Sequence, residues 1–404
     1  MSKNNKTLVI GGGAAGFFAA INIRKNFPNY EVTILEQSNE VLSKVRISGG
    51  GRCNVTHACW EPKELVKFYP RGSKELLGPF HHFACGDTFA WFEGEGIPLK
   101  IEDDGRCFPE SNSSQSVVHC FLSLAEKLNI KIIYSQKMRE LIAPNTLSTQ
   151  WQIVTNNAIH TADKIVLASG SSKSVWSILD KLGLNIIPPV PSLFTFNIKE
   201  KAMNDMMGIS VSEAKISIPT AKLENRGSLL ITHWGISGPA VLRLSSFGAR
   251  WMHEQNYHFE IFIDWLPKAS EDEIFKSIKF SGAKSVLTPQ LGFPGRLWKY
   301  FVQKCKIPEN LNCADLNKQQ LQNLVQTLKK DPHQVSGKST FKEEFVTAGG
   351  VDLKEIDFKN FSSKKYPTLF LAGEVLNIDA LTGGFNFQAA WTGGYLIARG
   401  VGED

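Results

Sequence analysis

Between an apolar run at Thr7–Ile10 and a helix that starts on small residues, the chain reads Gly11-Gly12-Gly13-Ala14-Ala15-Gly16. In a G-x-G-x-x-G turn the first glycine permits a tight bend, the second lets a pyrophosphate approach the backbone, and the third lets helix and strand pack closely. The context is the one the motif requires. Phe17, Phe18, Ile21 and Ile23 make Ala14–Asn26 an apolar helix, and Glu31–Glu36 (E-V-T-I-L-E) reads as a second strand. Strand, glycine turn, helix and strand form a βαβ unit with parallel strands. Amides at the helix start, those of Ala14 and Ala15 included, would face phosphate oxygens, whose charge the helix dipole favours. Glu36 ends the second strand twenty residues after Gly16. A carboxylate there accepts hydrogen bonds from ribose hydroxyls and repels a 2′-phosphate, so the expected ligand is a dinucleotide other than NADP. Gln37, next to it, and Lys44 are candidates for the same ligand.

Two further glycine-rich segments narrow the ligand to a flavin. Ser48-Gly49-Gly50-Gly51-Arg52-Cys53-Asn54 can present successive amides to an anion or a flavin edge. Arg52 could add a charged contact, and Asn54 can bond in either direction. Near the C-terminus an apolar strand ends in Ala372-Gly373-Glu374, suited to a ribityl chain. Asp379 and Gly383-Gly384-Phe385-Asn386-Phe387-Gln388 follow, leading into a helix with Ala389, Ala390, Gly393 and Gly394. The start of that helix could point at the flavin N1/O2 edge and stabilise negative charge there. Ala168-Ser169-Gly170, after another short apolar strand, completes the cofactor candidates.

The strands Lys164–Ala168 and Thr368–Ala372 lie some 200 residues apart, yet both are apolar runs followed by glycine. The fold class is therefore α/β, a doubly wound Rossmann-like FAD-binding domain that is discontinuous. Residues 1–190 and 347–404 are expected to form this domain. Residues 191–263, with their alternating β-branched runs, are expected to form a β-rich insert (a small antiparallel sheet or barrel). Residues 264–331 are expected to form a helical insert, and 332–346 a return segment that could belong to the β-rich insert. Leu321, Leu324, Val325 and Leu328 mark one face of a helix.

Composition sets bounds. The 404 residues are 42% hydrophobic and 21% charged, ordinary for a globular protein. No run of about 18 apolar residues suggests a membrane span. A short polar N-terminus followed at once by a strand leaves no room for a signal peptide, so a cytoplasmic location is expected. Seven cysteines without C-x-x-C argue against disulfides, structural zinc and dithiol flavoenzymes, and no metal site is expected. Of the net charge of +6, an excess of five falls between Leu266 and Ser336, from eleven Lys/Arg and six Asp/Glu. Such a bias marks either a solvated basic surface or a face that meets a polyanion such as RNA.

The chain also resembles a bacterial family of FAD-dependent flavoproteins known broadly as NAD(P)/FAD-dependent oxidoreductases. The resemblance rests on V-I-G-G-G-A-A-G near residue 10, I-S-G-G-G-R-C-N at Ile47–Asn54, T-H-W-G-I-S-G-P at Thr232–Pro239, T-A-G-G-V at Thr347–Val351 and A-G-E-V-L-N-I-D-A-L-T-G-G-F-N-F-Q at Ala372–Gln388. It implies FAD held by Gly11, Gly13, Gly16, Glu36, Gly49–Asn54, Gly373–Glu374 and Gly383–Gln388, and an FAD domain carrying a β-rich and a helical insert. Leu376-Asn377 stands where the family commonly reads Leu-Asp, and Phe385 where it often has tyrosine. The family's activities include aminoketone oxidation, reduction of bile-acid intermediates, and reduction of a uridine of large-subunit ribosomal RNA to dihydrouridine.

No second strand–G-x-G-x-x-G–helix unit is present, so NADH or NADPH is expected at most as a transient electron donor. A reductase of a C=C bond needs a protein acid beside the flavin. The candidates are Cys53, in the glycine loop, and His233, in T-H-W-G. The leading expectation is an FAD-dependent reductase acting on uridine in ribosomal RNA through the basic helical insert, the chain itself a monomer. A small-molecule oxidase or enone reductase is the alternative, and a non-catalytic FAD-binding interaction protein a third.

Overall fold

The computed structural model describes residues 5–146, 148–339 and 346–402. The chain opens with β1 (Lys6–Ile10), α1 (Ala14–Asn26), β2 (Glu31–Leu35) and α2 (Ser43–Gly51), and continues to β3 (Lys131–Ile133) and β4 (Lys164–Leu167). It then builds a separate unit. This contains β5 (Thr195–Ile198), β6 (Ser210–Ile218), β7 (Leu223–Thr232), β8 (Gly235–Ser237), β9 (His258–Asp264), α3 (Glu271–Phe280), α4 (Gly295–Lys304), α5 (Lys318–Lys329) and β10 (Asp331–Ser339). The chain returns for β11 (Leu369–Leu371) and α6 (Phe385–Gly400). Two compact units result: Met1–Pro189 with Thr347–Asp404, and Val190–Val346.

The first unit is the doubly wound α/β domain. Its sheet runs β11-β4-β1-β2-β3, all parallel, with two short antiparallel strands, Ile356–Asp357 and Ser362–Ser363, beyond β11. Every residue of β4 and β11 is buried, as expected where both sheet faces are covered. The main cover on one face is α1 against α6. Their approach is close because Gly394 faces α1: a Cβ there would meet the Ala19 nitrogen at 3.0 Å and the Ala15 oxygen at 3.1 Å. Sequence order reverses between β4 and β1, so a crevice opens at the C-terminal ends of these strands.

The second unit is a closed barrel of six antiparallel strands, in the order β5-β8-β7-β6-β9-β10, with β10 pairing back to β5. Barrel and helices share one apolar core, including Ile216, Ile231 and Ile261 from strands and Ile278, Trp298, Phe301 and Leu324 from helices. The β-rich and helical inserts are thus one unit. Residues 332–339 of the return segment form most of the closing strand, while residues 340–345 lie outside the described residues. Helix α5 buries Leu321, Leu324, Val325 and Leu328, the face the spacing marks.

A charged network pins α4 to β10 in this unit. The fully buried His333 ring binds Glu200 Oε2 through Nδ1 (2.9 Å) and Asp331 Oδ2 through Nε2 (2.8 Å). Asp331 also accepts from Trp265 Nε1 (3.0 Å) and pairs with Lys304 (2.6 Å), and the Tyr300 hydroxyl donates to Glu200 (2.7 Å). Burial alone would lower the His333 pKa, but hydrogen bonds to Asp331 and Glu200 raise it above 6.5. Burial likewise opposes the Glu200 charge, yet His333, Tyr300 and Lys304 hold that carboxyl down at about 2, from 4.5. The His333 contribution to stability is therefore full below its unfolded pKa of 6.5 and is lost as pH rises through the raised folded value. The Glu200 contribution is full above 4.5 and is lost as pH falls towards about 2. Urea unfolding of this unit should show a plateau between these limits, with an alkaline decline that disappears in His333→Gln. An unchanged alkaline limb in the variant would refute the assignment.

Candidate functional site

The C-terminal ends of the parallel strands bring the glycine motifs together. The Gly11 N–H donates to Leu35 O, Ala168 N–H to Ile10 O, and Ala372 N–H to Leu167 O, at 2.9–3.0 Å. Gly11 has φ +110°, and a Cβ there would lie 2.4 Å from the Ala168 carbonyl oxygen, so the first turn admits only glycine. Gly13 caps α1. Glu36 Oε2 accepts from the Gly12 N–H at 2.7 Å, and Oε1 from Ser38. The carboxylate thus stands at the mouth of the glycine turn, with Gln37 exposed beside it.

The second and third motifs converge on this crevice. After one helical turn α2 unwinds: Ser48 is extended, and Gly49 and Gly50 take φ +57° and +68°. Lys44, from the start of α2, pairs with Glu374. A Cβ on Gly170 would lie 3.7 Å from the same carboxylate, and one on Gly373 would lie 3.4 Å from the Ala15 methyl. Asn54 ties two loops together. Its amide donates to Thr56 O (2.9 Å) and Cys107 O (3.2 Å), and its oxygen accepts from the Gly384 N–H (3.0 Å).

Several candidates turn their side chains to protein partners instead of an open crevice. Arg52 pairs with Glu102 and lies over the Phe108 ring at 3.9 Å. Phe385 stacks on Phe68 (4.1 Å) and on His57 (4.7 Å), and those two rings lie 5.8 Å from each other. Asn386 clasps both backbone polar atoms of Ala380. Gln388 is fully buried, accepting from Thr56 and Thr88 and donating to Thr392. The Asp379 carboxylate is fully buried and forked by Arg71. These residues hold the Gly383–Gly384 turn and the α6 N-terminus in place. The amides of Phe385, Asn386 and Phe387, which no helical carbonyl can satisfy, stay at the helix end.

Cys53 and His233 fall in different units. Cys53 is fully buried with φ +62°. Burial pushes its thiol up to about 12, against a lowering hydrogen bond with Ser48. His233 sits exposed on the turn between β7 and β8, its ring edge-on to Trp234.

Arg46 and His57 belong to none of the glycine motifs, yet both line the same crevice as the Ser48–Asn54 loop. Arg46 Nε, His57 Nδ1 and Ser169 Oγ are buried polar atoms without a hydrogen-bond partner. With Nε2–H donating to Asp104 O (3.1 Å), His57 keeps Nδ1 as an acceptor. Burial lowers this imidazole below 6.5, so it is neutral at pH 7. The available signal was position: both residues flank the Ser48–Asn54 loop. A Cβ on Gly13, Gly50 or Gly51 would meet nothing within 4 Å. Open glycine faces and unpartnered donors and acceptors on three segments fit a long polar ligand such as FAD. Among the described residues no three His, Cys, Asp or Glu side chains are grouped to hold a metal, and no helix is long and apolar enough to cross a membrane.

Fold and site together define an enzyme of the FAD-dependent oxidoreductase class. The chain belongs to the HI0933-like protein Rossmann domain family, whose model matches residues 5–400. It is 28% identical to the ribosomal RNA dihydrouridine synthase of Haemophilus influenzae, over 99% of both chains. It is 26% identical to the 3-dehydro-bile acid delta(4,6)-reductase of Clostridium scindens, again over 99% of both. The fold is also that of 3-ketosteroid delta1-dehydrogenase from Sterolibacterium denitrificans, with a TM-score of 0.51, 10% identity, and coverage of 98% of this chain and 99% of that one.

Proposed function

We propose that this protein is an FAD-dependent reductase that converts a uridine of large-subunit ribosomal RNA to dihydrouridine. The observation that carries the RNA part is the positive charge left on the second unit after ion pairing. Lys268, Lys299, Lys304 and Lys329 are matched by Glu213, Glu309, Asp331 and Asp264. Lys279, Lys284, Arg296 and Lys318 form no ion pair with a carboxylate among the described residues and are exposed, while Lys276, also exposed, offsets the charge of Glu273 on the same helix. Unmatched cations are what phosphate contacts require. The two relatives with reductase or dihydrouridine synthase activity in their names support the reaction class.

Bound FAD supplies the hydride chemistry; the chain supplies the rest. The α1 start holds the pyrophosphate, Glu36 the adenosine ribose, and Glu374 with Lys44 the ribityl region. The α6 start favours negative charge beside Gly383–Gly384. Arg46, His57 Nδ1 and Ser169 Oγ gain their missing partners. Cys53, buried and holding its proton, acts as a positioning residue for the glycine loop. His233, exposed on the β7–β8 turn of the second unit, is the other candidate for the acid. NADH or NADPH would serve as a transient electron donor, and the target base would have to leave its stack to reach the flavin.

A small-molecule enone reductase is the second reading, favoured by the full-length match to the bile-acid enzyme. Nucleoside mass spectrometry of large-subunit ribosomal RNA separates the two. Dihydrouridine should vanish on deletion of the gene and return with the intact gene but not with Gly13→Glu. Unchanged dihydrouridine would refute the RNA reading and direct assays to enones.

A further inference from the structure

Helix α3 ends in a feature that neither its packing nor its capping explains. Its inner face buries Ile274 and Ile278 in the core of the second unit, with Phe275 partly buried against it. Its outer face ends in Phe280, 85% exposed. Three exposed lysines surround that ring in sequence: Lys276 one helical turn before it, Lys279 beside it and Lys284 just past the helix end. The lysines alone could be read as complements to the negative end of the helix dipole, matching Glu271, Asp272 and Glu273 at the other end. The dipole gives no reason for an aromatic ring in water, when Phe275 shows that the same helix can bury one.

The display is also fixed. The Ser281 hydroxyl donates to Gln290 Oε1 (2.7 Å), and the Ala314 and Cys313 amides donate to Gly282 O and Lys284 O, both at 2.9 Å. Phe280 and Lys284 therefore stand on either side of a pinned turn. An aromatic face among exposed cations is the chemistry that binds single-stranded nucleic acid. A base stacks on the ring, and the cations take the flanking phosphates.

We infer that Phe280, with Lys276, Lys279 and Lys284, is a stacking platform for an unpaired stretch of RNA. This rests on the RNA reading above and names the surface that would serve it. The test is fluorescence anisotropy of the full-length, FAD-loaded protein with a short labelled oligouridylate across a salt series. Phe280→Ala should weaken binding about 5- to 150-fold at fixed salt, as loss of one base–aromatic stack does, and Phe280→Trp should restore it. Replacing the three lysines by glutamine should lower the slope of log affinity against log salt by about 2, at roughly 0.7 for each single-strand phosphate contact. Because the ring is exposed, these variants keep the fold, which far-UV circular dichroism checks. Unchanged oligouridylate affinity in Phe280→Ala overturns the proposal. So does a defect confined to phosphatidylserine vesicles, which would make the patch a membrane contact. Loss of oligouridylate binding in Phe280→Ala, with ribosomal dihydrouridine unaffected by gene deletion, would sustain the platform while removing the uridine-reductase reading.

Discussion

Gly13→Glu is expected to yield a folded but colourless protein. Gly13 has φ −95°, a conformation open to any residue, and a Cβ there meets nothing within 4 Å. The substitution therefore leaves β1, α1 and their packing intact. What it changes is the space at the α1 N-terminus, where the pyrophosphate is expected. A carboxylate set there takes up the helix-end amides itself and repels the phosphates. Two unit charges about 4 Å apart repel by roughly 1 to 4 kcal/mol between aqueous and surface-like dielectric, or about 5- to 1,000-fold in affinity. Steric exclusion adds to that. Flavin absorbance per chain, together with the thermal midpoint of the apoprotein, checks this directly. Gly11→Ala is the contrasting case. Its methyl would strike the Ala168 carbonyl, so it should lose the fold as well as the flavin. A yellow Gly13→Glu protein with unaltered affinity would show that the cofactor does not lie on this turn.

The parts of the fold that could be read from sequence are those whose signal is local. The β1–α1–β2 unit carries its periodicity and glycine turn within thirty residues, and β4 and β11 show as apolar runs because both of their faces are buried. The strand that closes the barrel has no such signal. Its inward positions are Asp331, His333 and Val335, so the buried face of β10 carries a charge network where a hydrophobic alternation would normally reveal a strand. The site divides the same way. Gly11, Gly13 and Glu36 owe their roles to backbone geometry that a short motif encodes. The surroundings of Gln388, Phe385 and Asp379 depend on Thr56, His57, Phe68 and Arg71, some 300 residues away, and one sequence holds no record of such pairings. For the same reason His57 escaped notice: its position becomes informative only when Phe385 is stacked on it.

The second large effect should come from the buried pair of Arg71 and Asp379. Asp379 is fully enclosed, and Arg71 retains 12% of its side-chain exposure. The two residues also meet as a backbone bridge, so the pair fastens the segment leading to Gly383–Gly384 against the turn that precedes the helix Ser73–Phe80. Removing one member of such a buried pair typically costs about 3–5 kcal/mol. Asp379→Ala and Arg71→Ala should each lower the stability of the first unit by that order in urea unfolding followed by circular dichroism. Removing both charges tests whether the effect is electrostatic or the lost shape. Arg71→Leu with Asp379→Leu should recover most of the loss, since apolar replacements of a buried pair are often neutral. Flavin affinity should behave differently. The α6 N-terminus is aimed through this fastening, so even the double variant should bind FAD more weakly than the wild type. If either single variant unfolds within about 1 kcal/mol of wild type, a range ordinary for exposed pairs, the bridge does not secure the turn.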